Sequence, residues 1–288
     1  MIVSIYVTYN PNIPLLERAI ESLIEQVDFA IIVDNSPQSK LELRSDKVII
    51  EALGENIGIA AAQNIGIRKA IEFGAEYIVL SDQDTVYPPD YVASMLPVFE
   101  QFPDACVSVP KFVDDMKKGA DGFIAIKPFF FQQLFPGSGK HKIFQAIASG
   151  KVLKVSCLKA VGLMNEELFI DWVDLEWCWR ARAKGFQILG NADVVIQHQL
   201  GDMSKDLGFR EVNLRSAIRH YYITRNAFYL SLYCKDLDIG HRINLFFKSF
   251  RYIVVYPILS KPHLKHLKAV LIGFWHGITK KLGKYDLT

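Results

Sequence analysis

The stretch Tyr77-Ile-Val-Leu-Ser-Asp-Gln-Asp-Thr85 constrains this chain more than any other. Its apolar run reads as a buried strand, and it ends in two carboxylates one residue apart, Asp82 and Asp84. Carboxylates at the mouth of a buried strand are costly unless something pairs with them. A divalent cation fits, because Mg²⁺ is held by one or two carboxylates together with phosphate oxygens of a substrate. The plainer alternative is a solvated turn, which Asp and Thr favour. The triplet alone does not decide between them.

Neighbouring segments add weight. Residues 2–8 are rich in β-branched and aromatic types and read as a strand, broken by Tyr9-Asn10-Pro11-Asn12. Leu15, Leu16, Ala19, Ile20, Leu23 and Ile24 then recur at helical spacing. A second strand, Phe29 to Val33, runs into the turn Asp34-Asn35-Ser36-Pro37, and a third lies near Val48 to Ala52. Continuous apolar strands alternating with helices predict an α/β fold, Rossmann-like, with a mixed but mainly parallel sheet flanked by helices. Ligands in such sheets sit beyond the carboxyl ends of the strands. Thr8-Tyr9-Asn10, Asp34-Asn35 and Ser81-Asp82-Gln83-Asp84 all fall there, so one crevice suited to a nucleotide is expected. Between Glu55 and Gly66, small residues permit close backbone approach, and Asn56 is placed to cap the following helix. Gly137-Ser-Gly-Lys140 lacks the earlier Gly and the following Ser/Thr of a P-loop. Residues 111–148 show no period and read as an irregular excursion, a lid over the sheet.

Lys151 to Ser156 reads as a strand followed by a short helix through Leu163. In Leu168-Phe-Ile-Asp-Trp-Val-Asp-Leu-Glu-Trp-Cys-Trp-Arg180, Asp171 and Asp174 are spaced to share a helix face, and Glu176 is spaced to pair with Arg180. That pairing leaves Asp174 as the better candidate for a general base; a capped helix start near Asp171 explains the segment equally well. His198 ends a strand that begins near Asp193. Residues 209–233 read as one helix bearing Arg215, Arg219, His220, Arg225 and Asn226. Arg219 and Arg225 match pyrophosphate geometry, with a solvated helix face as the competing reading.

The net charge of +2 over 288 residues argues against a nucleic-acid binder. Charge is uneven, however. Residues 235–288 carry ten Lys/Arg against three acids, a net +7, which leaves −5 for the preceding part. Two units are therefore expected, a catalytic domain at 1–234 and a basic amphipathic helical extension at 235–288. In the extension, Leu264, Leu267, Leu271, Phe274, Ile278 and Leu282 form a stripe with lysines mostly off it. Such a helix suits an anionic membrane surface, or docks its stripe on the domain. Four cysteines without a C-x-x-C predict reduced thiols and no zinc site. With no basic n-region at the start and no apolar run near the roughly 20 residues of a membrane span, a cytoplasmic protein is expected, peripheral at most to the inner face of the plasma membrane.

Taken in order and spacing, Ser81-Asp-Gln-Asp84, Phe169-Ile-Asp-Trp-Val-Asp-Leu-Glu-Trp-Cys178 and Arg219-His-Tyr-Tyr-Ile-Thr-Arg-Asn226 give residues 2–230 a clear likeness. The chain resembles inverting glycosyltransferases of family 2, with the GT-A fold, and among them bacterial rhamnosyltransferases. The resemblance implies that Thr8 and Asn10 line the nucleotide pocket, that Asp34 reaches base or ribose, and that Asp82 contacts ribose or sugar. Asn56, Asn64, Gln83, Ser149, Gly150, Arg219 and Arg225 complete the expected donor site. Asp84 would bind Mg²⁺ or Mn²⁺, with His198 as fellow ligand. Asp174 falls at the family's catalytic carboxylate; Val173 stands where an acid commonly precedes it, which leaves Asp171 as a rival base. The implied reaction moves L-rhamnose from dTDP-L-rhamnose onto a saccharide or lipid-linked saccharide in cell-surface polysaccharide synthesis. A UDP-hexose or UDP-galactofuranose donor stays open, as does a non-catalytic carbohydrate-binding scaffold. A nucleotidyltransferase would want a Gly-rich basic loop after the first strand, and Thr8-Tyr-Asn-Pro11 offers none. Oligomeric state is left open.

Overall fold

A computed structural model describes residues 1–39, 41–42, 45–113, 120–197, 204–206, 211–213 and 215–287. Strands β1 (Ile2–Thr8), β2 (Phe29–Asp34), β3 (Val48–Ala52) and β4 (Tyr77–Ser81) pair in parallel in the order β3-β2-β1-β4. Helices α1 (Ile13–Ile24) and α2 (Ile59–Glu72) make crossovers. Asn12 caps α1 by accepting from the Leu15 amide, Pro14 sits in its first turn, and Leu16, Ala19, Ile20 and Leu23 are its buried face. Both faces of the sheet are covered. Ile5, Val33 and Leu80 join the core on one side, while Tyr6, Ile32 and Val79 join that on the other. Burial on both faces is why these strands read as continuous apolar runs.

The sheet then turns mixed. After α3 (Tyr91–Met95) and α4 (Pro97–Gln101) come β5 (Ala105–Val113), β6 (Ala120–Asp121), β7 (Phe123–Ala125), β8 (Gln132–Leu134), β9 (Lys140–Ile143) and β10 (Lys151–Lys154). Helix α5 (Val155–Val161), a 3₁₀ turn at Glu166–Leu168, α6 (Val173–Ala183) and β11 (Gln187–Gln197) follow. The order is β3-β2-β1-β4-β10-β5-β11-β9-β7-β8, with β6 on β5. β10 runs antiparallel to β4 and β5, so the parallel character expected holds for β3-β2-β1-β4 and for β5–β11 and gives way elsewhere. The described part of residues 111–148, expected to be irregular, supplies the end of β5, β6 paired with it, and three short strands on the sheet's far edge. Strands of three or four residues are too short to show a period. Cys106 on β5 and Cys157 on α5 form a disulfide, their Cα atoms 5.6 Å apart, which corrects the expectation of four reduced thiols. Both side chains face the same core, a juxtaposition hidden by their separation of 51 residues.

A short ladder, β12 (Ser204–Asp206) with β13 (Glu211–Asn213), precedes α7 (Ala217–Tyr233), which therefore starts later than the 209 expected. His198 lies outside the described residues. Helices α8 (Ile239–Leu259) and α9 (His263–Ile278) pack on α7 and on each other. A β-carbon at Gly273 would lie 2.6 Å from the Tyr221 carbonyl oxygen, and one at Gly277 2.5 Å from that of Arg225. The packed face of α9 is thus built of Ala269, Gly273 and Gly277 with His266 and His276. Leu264, Leu267 and Leu271 of the expected stripe point outward instead. Small residues won the interface because they let the two backbones approach.

Candidate functional site

Three strand ends meet at one edge. Thr8 and Asp34 are register partners, and the Thr8 hydroxyl donates to Asp34 Oδ1 at 3.0 Å. The Ser36 hydroxyl donates to the same oxygen at 2.6 Å and in turn accepts from the Asn10 amide at 2.8 Å. Asp34 is buried, and its Oδ2 has no partner among the described residues. On the other side of β1, the turn Asp82-Gln83-Asp84 leaves β4 half-buried, and Gln83 Oε1 accepts from the Tyr9 amide at 3.0 Å. Gln83 therefore ties that turn to the end of β1. Asn56 Oδ1 accepts from Asn35 at 3.1 Å and from the Gly58 amide at 2.9 Å. Gly58, at φ +89°, is the N-cap of α2, so Asn56 braces the turn ahead of the helix and is not itself the cap.

The loop before β10 joins this edge. Thr85 Oγ1 and Ser149 Oγ are buried and 2.9 Å apart. Gly150 takes φ +64°, where a β-carbon would press on Tyr91 Oη at 3.0 Å and Pro110 at 3.2 Å. Asp174 stands in the first turn of α6 with Oδ1 enclosed and unpartnered. Burial raises its pKa, against the opposing pull of the Lys151 cation, the Ala148 amide and the Gln63 side chain. Raised proton affinity by desolvation suits a carboxylate that must take a proton near neutral pH. Lys151 is fully buried, its Nζ 3.5 Å from the Asp174 carbonyl and 3.7 Å from Cys178 Sγ. Sequence reading missed Lys151 and Gln63. The available signal was a lysine opening an otherwise apolar strand directly after Ser149-Gly150.

Ahead of Asp174 the backbone is strained. Phe169, Asp171 and Trp172 have φ of +64°, +61° and +69°. Such values cost non-glycine residues about 1–2 kcal/mol each. Trp172 is the N-cap of α6, so Asp171 lies outside the helix and shares no helical face with Asp174, contrary to expectation. Asp171 accepts from Arg215 at 3.3 Å and Arg219 at 3.1 Å. Its oxygens are thus engaged by two guanidiniums, and Arg219 is turned toward a carboxylate.

Arg225, expected at a pyrophosphate, is fully buried elsewhere. It donates to the carbonyls of Glu167 at 3.1 Å and Leu168 at 2.8 Å, to that of Gly283, and through Nε to Asn226 Oδ1 at 2.9 Å. Asn226 Nδ2 shares the Leu168 carbonyl at 2.9 Å and serves two further ones, Ile170 at 2.9 Å and Asp171 at 3.1 Å. Together they collect the carbonyls that the left-handed backbone turns inward. The Phe169 carbonyl goes the other way, accepting from the Ile59 amide at 2.8 Å at the N-terminus of α2. Asn64, expected to touch the donor, spends both N–H groups on the Met164 carbonyl and Glu166, and accepts from the Met164 amide at 2.9 Å. It holds the approach to this loop. Glu176 and Arg180 form the expected ion pair at 2.7 Å.

Among the described residues no three His, Cys, Asp or Glu side chains converge on a point able to hold a metal. Asp82 and Asp84 remain as a donor set of the kind that binds Mg²⁺ jointly with phosphate.

The profile for glycosyl transferase family 2 matches residues 4–162. The dTDP-rhamnosyl transferase RfbF of Shigella flexneri is 34% identical over 235 residues, covering 80% of this chain and 79% of its own. The low-salt glycan biosynthesis hexosyltransferase Agl10 of Haloferax volcanii is 22% identical over 277 residues, 91% of this chain and 87% of its own. Of solved structures, residues 1–349 of S. aureus TarS in complex with UDP-GlcNAc share the fold at TM-score 0.60 and 14% identity, over 97% of this chain and 82% of that one.

Proposed function

We propose that this chain, which belongs to glycosyl transferase family 2 and has the GT-A fold, transfers L-rhamnose from dTDP-L-rhamnose to a hydroxyl of a saccharide or lipid-linked saccharide acceptor. The identity to a dTDP-rhamnosyl transferase across four-fifths of the chain supports the donor. One observation carries the mechanism: the Asp174 carboxylate has an enclosed, unpartnered oxygen and a pKa raised by burial.

In this reading Thr8, Asn10 and Asp34 hold the nucleoside, with Asp34 Oδ2 accepting from it. Asp82 and Gln83 border the sugar. Asp174 takes the proton of the attacking acceptor hydroxyl as that oxygen bonds to the anomeric carbon, and the nucleoside diphosphate departs from the opposite face with inversion. Base catalysis of this kind contributes about 10²–10⁴-fold. Asp84, with His198 as a second candidate, is the place for Mg²⁺ or Mn²⁺, which when bound would neutralise charge on the departing diphosphate. Lys151 and the Ala148 amide pull the Asp174 pKa down against the upward push of its burial.

The test is a panel of sugar nucleotides turned over by the parent and by Asp174→Asn, each with Mg²⁺, with Mn²⁺ and with chelator. Expected are dTDP-L-rhamnose as best donor, dependence on metal, and a fall in kcat of about 10²–10⁴-fold with donor affinity kept. Near-parental turnover by Asp174→Asn would remove it as base. A UDP-hexose preferred over dTDP-L-rhamnose would replace the donor.

A further inference from the structure

The outward face of α8 is apolar along its whole length. Ile243, Phe247, Phe250, Val254 and Ile258 follow one another every three or four residues, and each is exposed, Phe247 by 67%. At about 1.5 Å per residue this stripe runs roughly 23 Å. Antiparallel neighbour α9 adds Leu264, Leu271 and Trp275 on its solvent side. At the start of α8 the stripe continues through Ile239 onto Phe129 and Phe130, also exposed. Gly240 permits that junction, because a β-carbon there would collide with the Phe129 ring. Isolated exposed apolar residues mean nothing, whereas a continuous apolar surface of this kind marks an interaction site.

Charge selects the occupant. From Ile239 to Tyr285 the chain has nine Lys/Arg and no Asp or Glu. Arg251 on α8, Lys265 on α9, and Lys261, Lys280 and Lys281 at the ends of these helices are exposed. A second copy docked by the same face would set cations against cations, which disfavours it. An anionic lipid surface satisfies both features, apolar side chains entering the acyl boundary and lysines lying on headgroups. No helix among the described residues is long and apolar enough to cross a membrane, so the helices would lie in the interface.

We propose that the outer face of α8 and α9, extended by Phe129 and Phe130, docks the chain on an anionic phospholipid surface. The inference deepens the transfer reading by placing the chain where a lipid-linked acceptor resides, and vesicle binding is measured without turnover, so the two fail separately. The experiment is flotation of the full chain with vesicles of phosphatidylcholine alone or mixed with phosphatidylglycerol. Binding is expected to the mixed vesicles only and to weaken with salt. Arg251→Gln and Lys265→Gln should each lower partitioning about fivefold. Phe247→Glu with Val254→Glu should abolish it while circular dichroism and donor binding stay parental, because both side chains are exposed. No flotation of the parent, or flotation indifferent to all four substitutions, overturns the proposal. So does a concentration-dependent dimer, seen by sedimentation, that Phe247→Glu dissociates, since the face would then belong to a second copy.

Discussion

Asn226→Ala tests whether the loop ahead of Asp174 is held through its carbonyls. The two N–H groups of Asn226 are shared among Leu168, Ile170 and Asp171, and its oxygen satisfies Arg225 Nε. Alanine leaves two carbonyl bonds and one buried guanidinium N–H unmade. At about 1 kcal/mol for each neutral bond and about 2 kcal/mol for the charged donor, the loss is about 4 kcal/mol. The same loop carries three residues at positive φ, whose combined cost is about 3–6 kcal/mol. The two quantities are comparable, so the loop relaxes toward ordinary backbone before the domain unfolds. Relaxation shows as a fall in unfolding free energy of about 2–4 kcal/mol in urea, smaller than or equal to the sum of lost bonds. Displacing Asp174 by even an ångström should lower kcat about a hundredfold. Donor affinity, measured by titration calorimetry with the sugar nucleotide, should stay close to parental because Thr8, Asp34 and Gln83 lie on other elements. A folded Asn226→Ala protein with kcat within about twofold of the parent would refute the argument, since a hundredfold loss is what misplacement costs.

Two further outcomes follow from neighbouring contacts. The Lys151 cation lowers the pKa of Asp174 against burial, so Lys151→Met should raise it further and keep the base protonated to higher pH. The acidic limb of the pH–rate profile should then move to higher pH, and a limb that stays in place while kcat falls would assign Lys151 to packing alone. Gly277→Ala would set a methyl 2.5 Å from the Arg225 carbonyl oxygen, which belongs to backbone and cannot step aside. It should destabilise the chain by about 1–3 kcal/mol in urea unfolding, and a neutral result would mean that α9 can slide on α7.

Much of the polar sheet edge was legible because strand ends are local. Apolar runs ending in Thr8, Asp34 and Asp82 fix both the sheet and the edge where polar groups gather, and the parallel registers of β1 with β2 and β4 need no distant information. The opposite wall was less legible. Arg225 and Asn226 on a polar helix look like groups for a ligand, and nothing nearby in sequence announces the carbonyls of residues 167–171 that they serve. Those carbonyls point inward only because Phe169, Asp171 and Trp172 adopt backbone angles that residues of these types seldom take. Asn64 misleads for the same reason, its partners Met164 and Glu166 being a hundred residues away. In α9 the leucine stripe was visible and its direction was not. A packing face of glycine and alanine carries almost no hydrophobic signal, although Gly273 and Gly277 are what let α9 lie against α7.

The contact between Arg225 and the Gly283 carbonyl, with Tyr222 Oη accepting from the Tyr285 amide, sets an order of events in synthesis. A ribosome makes β1, β4 and α6 long before it reaches α9, so the sheet edge at Thr8, Asp34 and Asp82 is made well ahead of the helices that follow. The guanidinium that gathers the loop beside Asp174 lacks one of its partners until residue 283 has emerged. The loop beside Asp174 is therefore completed later than the strand ends at the sheet edge, and its full set of contacts forms only once residues 283–285 lie against α7.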